Sequence, residues 1–133
     1  MRSDVLVVED DATTREALVW LLGIQGYATA AARNGAEALM YLCDHAPPRV
    51  ILLDLMMPVM SGWHFLQARK GKPRLADIPV VLCTAEGDLD RAAAQALGAD
   101  DLLRKPVDAA DLLDAVRHYA GAGTPSCSSL TRT

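Results

Sequence analysis

The sequence predicts an α/β protein built on a parallel sheet with helices on both faces. Its 133 residues, 51% of them hydrophobic, are enough for a single core and too few for two domains. Five short runs rich in Val, Ile, Leu and Ala alternate with five amphipathic segments. Three of these runs are apolar on both faces, which is typical of strands buried inside a parallel sheet. We therefore expect a doubly wound, flavodoxin-like sheet.

The five predicted strands differ in how apolar they are. Residues 5–8, 50–53 and 79–83 are apolar throughout and are expected at the centre of the sheet. Residues 27–32 and 101–103 are weaker and are expected at its edges. If the first helix crosses to one face and later helices cross to the other, the strand order is 2-1-3-4-5. Strands one and three then become neighbours.

Five helices are predicted from apolar side chains at helical spacing between capping residues and Gly or Pro stop signals. The first follows Asp11 and ends at Gly26, the second runs from Asn34-Gly35 to Pro47, the third covers 62–70, the fourth 88–97, and the fifth follows Asp108 through Tyr119. Trp20 and Trp63 are expected to pack between helices. Residues 121–133 carry one leucine and no periodicity, so we expect a domain over 1–120 and a flexible tail or linker start over 121–133.

Composition and charge exclude several classes of function. Seventeen acidic and 13 basic side chains give a formal net charge of −4, which disfavours direct binding of nucleic acid. The chain shows neither a long apolar stretch nor a signal peptide, so we expect a cytoplasmic protein without membrane contact. Cys43, Cys83 and Cys127 are scattered, which indicates neither a disulfide framework nor a zinc site. Any metal ion would have oxygen ligands.

Polar residues follow the predicted strands where each strand ends. Glu9 and Asp10 follow the first strand, Asp54 the third, Thr84 the fourth and Lys105 the fifth. The carboxyl ends of parallel strands meet at one edge, where ligands bind at the topological switch point. We therefore expect these five side chains to share a pocket.

The charges of that pocket favour a hard cation. Three carboxylates against the single ammonium of Lys105 leave a formal charge of −2. Mg²⁺ prefers such oxygen ligands and usually joins one or two carboxylates to a phosphate. Asp54 is then a candidate nucleophile that forms an aspartyl phosphate, with the Thr84 hydroxyl and the Lys105 ammonium stabilising the transferred group.

Each of these residues also has an ordinary interpretation when taken alone. Glu9 and Asp10 could be a helix-entry cluster, Asp54 a polar strand end, Thr84 a turn residue and Lys105 a solvated lysine. Their combination at one edge of the sheet favours a functional site.

Four sequence runs, in this order, carry a family resemblance. They are VVEDD at 7–11, LDLMMPVMSG at 53–62, CTA at 83–85 and GADDLLRKP at 98–106. Together they resemble the receiver domain of two-component response regulators, over about residues 4–120. Each run alone is weakly specific, whereas four at these spacings are highly specific.

The resemblance implies a role for each site residue. Asp54 would be the phospho-acceptor, and Mg²⁺ would be held by Glu9, Asp10, Asp54 and the main-chain carbonyl of Met56. Thr84 would bind the phosphoryl group and Lys105 would pair with it. The family often has a cis bond before the proline that matches Pro106.

The resemblance also implies a signalling function. Such a module accepts a phosphoryl group from the phosphohistidine of a sensor histidine kinase or a histidine phosphotransfer protein. It then changes its affinity for a downstream protein or a fused output domain. It catalyses its own phosphorylation and dephosphorylation, but its function is signalling and it is not classed as an enzyme. The resemblance also implies a possible homodimer through the fourth predicted helix, the fifth strand and the fifth predicted helix.

One departure from the family pattern keeps an alternative open. Leu102 stands where the family usually has Tyr or Phe, whose ring moves inward on activation. A constitutive pseudo-receiver that binds partners without phosphorylation is therefore the alternative. A small-molecule phosphatase resembling the haloacid dehalogenase group is disfavoured because Met56 occupies the place of its second Asp. No GxGxxG follows the first strand, so dinucleotide binding is not supported.

Overall fold

The computed structural model describes residues 3–55, 59–85 and 89–121. Its centre is a five-stranded sheet in the order β2-β1-β3-β4-β5, with every pairing parallel. The strands are β1 Val5–Val8, β2 Thr29–Ala32, β3 Val50–Asp54, β4 Val80–Thr84 and β5 Asp101–Arg104. The predicted fold class and strand order are confirmed, including the edge positions of the two weaker strands.

Six helices lie in the described parts of the chain. They are α1 Ala12–Ile24, α2 Gly35–Asp44, α3 Gly62–Lys70, α4 Pro73–Ala76, α5 Arg91–Ala96 and α6 Ala109–Ala120. Side chains cap the helices as the sequence predicts: Asp11 accepts from the Thr14 N–H, Asn34 from Glu37 and Asp108 from Asp111. Five helices were predicted, and α4 is the additional one.

Helix α4 is a single turn that begins at Pro73. Four residues are too few for a helical periodicity to show. Its position is instead tied by Arg74, whose guanidinium donates to the carbonyls of Leu42 and His45 at 2.7 and 2.6 Å. These contacts join α4 to the carboxyl end of α2.

Helix α5 is shorter than the predicted segment 88–97. The N-cap is Asp90, whose carboxylate accepts from the Ala93 N–H at 2.8 Å and whose extended backbone marks the start of the helix. Leu89 lies before the helix and is buried. Asp88, where the prediction began, lies outside the described residues.

Side chains alternate along each strand and so supply two cores, one on each face of the sheet. Leu6 and Val8 of β1 face the core under α2, α3 and α5, while Val5 and Val7 face the core under α1 and α6. Trp63 packs against the first core. The prediction for Trp20 is wrong, because this side chain on the outer face of α1 is 66% exposed.

Among the helices in the described ranges, none is both long and apolar enough to span a membrane.

Candidate metal centre at the carboxyl edge of the sheet

Three carboxylates meet where β1 and β3 end. Val8 of β1 pairs with Leu53 of β3, so the residues that follow them, Glu9 and Asp54, lie at the same level of the sheet edge. One oxygen from each of Glu9, Asp10 and Asp54 lies within 4.8 Å of the others. Glu9 and Asp54 are buried and Asp10 is exposed. The structure therefore brings together the three acids that the sequence singled out.

Lys105 lies against two of these acids. Its Nζ is 2.8 Å from Glu9 Oε1 and 3.3 Å from Asp54 Oδ1. Burial disfavours the ammonium, but the hydrogen bond that it donates to Glu9 and the charges of Asp54 and Glu9 outweigh this effect and raise the pKa of Lys105 above its ordinary value. Lys105 is therefore protonated at neutral pH. Its positive charge is shared between two buried carboxylates.

Backbone contacts hold the segment that carries Lys105. The Lys105 N–H donates to the Thr84 carbonyl at 2.9 Å, which continues the β4–β5 pairing past Arg104. The Lys105-Pro106 peptide bond is cis, as the family resemblance implied. The ammonium is thus presented from the end of an edge strand toward the sheet centre.

Thr84 is the last residue of β4 and is fully buried. Asp54 pairs with Cys83 in the β3–β4 register, so Thr84 lies one position beyond the neighbour of Asp54. Alternation along β4 assigns Thr84 to the face of Val80 and Leu82. Met56, the last of the predicted metal ligands, lies outside the described residues.

Gly62 allows the chain to fold back onto Asp54. A Cβ at this position would lie 2.7 Å from the Asp54 carbonyl oxygen and 2.8 Å from the Leu55 Cα. The Gly62 N–H also donates to the Leu55 carbonyl at 2.9 Å. This close approach of two backbones requires glycine.

Cys83 is buried next to the acidic cluster. Burial, together with the nearby charges of Asp54 and Glu9 and against the opposing charge of Lys105, raises the pKa of the Cys83 thiol to about 12. The thiol therefore stays protonated at neutral pH. Its role is that of a small apolar side chain rather than a nucleophile.

Leu102, at the position of the family's aromatic residue, is only 8% exposed. It pairs with Leu82 in the β4–β5 register and belongs to the core that contains Leu89 and Ala94. The leucine thus already fills an inward position under α5.

Arg15 is a residue that the sequence analysis did not single out. From the first turn of α1 its Nη1 atom donates to the Glu9 carbonyl at 2.9 Å and lies 3.4 Å from the Asp10 carbonyl. The signal was available, because long side chains near the start of a helix point back toward its amino terminus. Arg15 therefore contacts the backbone of two of the clustered acids.

These features define a class of protein. The chain is a flavodoxin-like α/β module with an oxygen-only acidic cluster at the switch point of its sheet, where β1 and β3 lie side by side. The donor set fits a hard divalent cation, since the carboxylates outnumber the ammonium that faces them.

Comparison with known proteins identifies the family. The family model described as response regulator receiver domain matches residues 5–117. The chain therefore belongs to the response regulator receiver domains of two-component systems. It is 36% identical over 116 residues to the transcriptional regulatory protein CpxR homolog of Haemophilus influenzae. The aligned residues make up 86% of this chain and 49% of that protein.

Two further matches cover nearly all of both chains. An uncharacterized 14.6 kDa protein of Leptolyngbya boryana is 35% identical, over 92% of this chain and 93% of its own. The receiver domain of a signal transduction histidine kinase from Syntrophus aciditrophicus superimposes with a TM-score of 0.79 at 35% identity, over 98% and 94% of the two chains. By contrast, the chain spans about half the length of several curated regulators that it matches.

Proposed function

We propose that the chain is a phosphorylatable receiver that takes a phosphoryl group on Asp54 with Mg²⁺ and thereby switches the binding of a partner. One observation carries the proposal. Glu9, Asp10 and Asp54 present oxygens within 4.8 Å of one another, and Lys105 contacts both buried acids. A purely structural cluster of acids would gain no stability from this crowding.

Glu9, Asp10 and Asp54 are the residues proposed to hold the cation, together with the main-chain carbonyl of Met56. When bound, Mg²⁺ would neutralise charge on the carboxylates and on the transferred phosphoryl group. The buried carboxylates of Glu9 and Asp54 support this assignment, because the two of them share the single ammonium of Lys105.

Asp54 is the proposed nucleophile. A carboxylate oxygen would attack phosphorus, a new P–O bond would form, and the P–N bond of the donor phosphohistidine would break. The electron pair and a proton would go to the departing imidazole nitrogen. Lys105, already 3.3 Å from Asp54 Oδ1, would stabilise charge on the phosphoryl oxygens, and Thr84 would bind one of them.

Receiver domains are signalling modules rather than enzymes in the usual sense. We propose that a sensor histidine kinase or a histidine phosphotransfer protein is the phosphodonor, and that the chain catalyses its own phosphorylation and slow hydrolysis. The CpxR homolog is named as a transcriptional regulator, so a downstream protein or an output domain is the proposed recipient of the signal. The face formed by α5, β5 and α6 is the proposed contact for a homodimer.

A second candidate function is a constitutive pseudo-receiver. The observation that favours it is the burial of Leu102 in the core under α5. A leucine that already occupies the inward position has no aromatic ring to move when the site is phosphorylated. Partner binding would then be the same with and without phosphorylation.

The test is the intact mass of the chain after incubation with acetyl phosphate, with and without Mg²⁺. We expect one Mg²⁺-dependent phosphoryl adduct on the wild-type chain and none on Asp54→Asn. Asp114→Asn is the matched control, because its carboxylate lies on the exposed outer side of α6. An adduct on Asp54→Asn, or no adduct on the wild type with either acetyl phosphate or a phosphohistidine donor, would refute the proposal.

A further inference from the structure

The β1–α1 loop carries two of the three clustered acids and is held by several hydrogen bonds. Glu9 uses one carboxylate oxygen for Lys105 and the other for the Asp11 N–H at 3.2 Å. Asp11 in turn caps α1 through the Thr14 N–H and hydroxyl. These contacts fix the Glu9 side chain and the start of the helix. They leave the Glu9 and Asp10 carbonyls to be held by another group.

Arg15 supplies that group. Its Nη1 atom donates to the Glu9 carbonyl at 2.9 Å and reaches the Asp10 carbonyl at 3.4 Å. The Glu9 N–H is already bound to Ala32 of β2, so the Arg15 contact fixes this residue from the opposite side. Because Asp10 is exposed, core packing does not orient its carboxylate. The contact from Arg15 to the Asp10 carbonyl instead restrains the backbone of Asp10, and with it the position of the carboxylate.

The charge of Arg15 and its hydrogen bonds have opposite expected effects on Mg²⁺ binding. A guanidinium beside a cation site repels the cation, so by charge alone Arg15 should weaken Mg²⁺ binding. A residue that holds the backbone from which the metal ligands extend should instead strengthen Mg²⁺ binding, because hydrogen bonds outside the ligand shell orient the ligands. The two roles therefore predict opposite effects when the guanidinium is removed.

We propose that Arg15 is a positioning residue for the cation site, one that acts through the Glu9 and Asp10 backbone. The inference rests on the proposed function only in requiring that Glu9, Asp10 and Asp54 take up Mg²⁺. It does not require that Asp54 be phosphorylated. The gain in Mg²⁺ affinity from holding the β1–α1 loop outweighs the loss caused by the positive charge of Arg15.

The test measures Mg²⁺ affinity by calorimetric titration of the full chain with MgCl₂ alone. Arg15→Met keeps the length of the side chain and removes its donors and its charge, and we expect Mg²⁺ to bind about tenfold more weakly. Arg15→Lys keeps the charge with a single donor nitrogen, so its affinity should fall between those of the wild type and Arg15→Met. Tighter or unchanged binding by Arg15→Met would overturn the proposal.

Arg33→Met is the matched control. Arg33 follows β2 at the same edge of the sheet and makes an exposed ion pair with Glu37, so this variant loses the same charge without touching the loop. Its Mg²⁺ affinity should not decrease, and a decrease equal to that of Arg15→Met would overturn the proposal. If Arg15→Met is unfolded at the assay temperature, Arg15→Lys decides the question, because charge alone predicts wild-type affinity for it.

The outcome separates this inference from the proposed function. A wild-type chain that binds no Mg²⁺ overturns both. A wild-type chain that binds Mg²⁺ but accepts no phosphoryl group overturns the proposed function alone, and the ranking of the Arg15 variants still decides the role of Arg15.

Discussion

Lys105 Nζ lies 2.8 Å from Glu9 Oε1, although the two residues are 96 positions apart in the chain. Glu9 follows β1 near the centre of the sheet and Lys105 follows β5 at its edge. The ion pair therefore crosses the carboxyl ends of β3 and β4. Asp54, at the end of β3, contacts the same ammonium at 3.3 Å.

Replacing Lys105 should destabilise the chain in the absence of divalent ions. Lys105→Met removes the ammonium that contacts the buried carboxylates of Glu9 and Asp54. We expect a loss on the order of 2 kcal/mol, below the value for fully buried pairs because the Lys105 side chain is 27% exposed. Urea unfolding in EDTA measures this loss.

The same variant should regain stability when MgCl₂ is added, and more than the wild type gains. Removing the ammonium takes away a charge that repels the cation, so Mg²⁺ should also bind the variant more tightly. A Lys105→Met chain as stable as the wild type in EDTA would show that the ion pair contributes nothing.

Gly62→Ala should destabilise the chain because a new Cβ would lie 2.7 Å from the Asp54 carbonyl oxygen. The backbone at Asp54 or Gly62 must shift, at a cost of about 2 kcal/mol. The matched control is Gly23→Ala, whose new Cβ meets nothing within 4 Å inside α1. That control should gain about 0.5–1 kcal/mol in the same urea titration. Equal effects of the two variants would contradict the close approach at Gly62.

Val59→Asn should stabilise the chain. Val59 has φ 70°, a left-handed conformation that costs a β-branched residue about 1–2 kcal/mol, whereas asparagine adopts it readily. The side chain is 84% exposed, so little packing is lost on replacement. We expect the free energy of unfolding to rise by about 1 kcal/mol. A lower midpoint of thermal unfolding for Val59→Asn would contradict the strain.

Stability should fall as the pH rises above the ordinary pKa of a thiol, 9.0. The folded chain keeps the Cys83 proton until about pH 12, whereas the unfolded chain releases it near its ordinary value. The unfolded state then binds fewer protons, so the free energy of unfolding decreases across this range. Lys105 acts with the same sign, because its pKa is raised in the folded state and its contribution is lost as the pH rises through that value.

Cys83→Ala isolates the thiol in this experiment. Urea titrations of the wild type and the variant between pH 8 and about 11 should give a shallower decline for the variant. Parallel declines would mean that Cys83 is not protonated more strongly in the folded chain. The acids Glu9 and Asp54 and the ammonium of Lys105 lie around position 83 in both proteins, so the two differ only in the thiol.

Much of the site could be predicted because its determinants are local in sequence. An apolar run followed at once by a charged residue places that residue at a strand end, and parallel strands bring such ends to one edge. Glu9, Asp10 and Asp54 meet for this reason. Thr84 and Lys105 lie at the same edge, at the ends of β4 and β5. Their roles in phosphotransfer remain predictions.

Other features depend on capping and packing contacts that hydrophobic periodicity does not specify. Helix α4 shows no pattern of its own, and Arg74 joins it to the end of α2. Helix α5 begins where Asp90 caps it, later than its alanine-rich sequence predicts. Trp20 is apolar yet lies on the outer face of α1, since Leu18, Leu21 and Leu22 already fill the inner face.

The sequence alone determined the fold class, the strand order and the residues at the carboxyl edge of the sheet. Hydrophobic periodicity and strand-end polarity are local signals, and the chirality of βαβ units converts them into one topology. Only the tertiary structure decided that Lys105 pairs with Glu9, that Arg15 braces the β1–α1 loop and that Gly62 abuts Asp54. Such contacts depend on distances of a few ångströms that the packed backbone sets, and hydrophobic periodicity does not specify such distances.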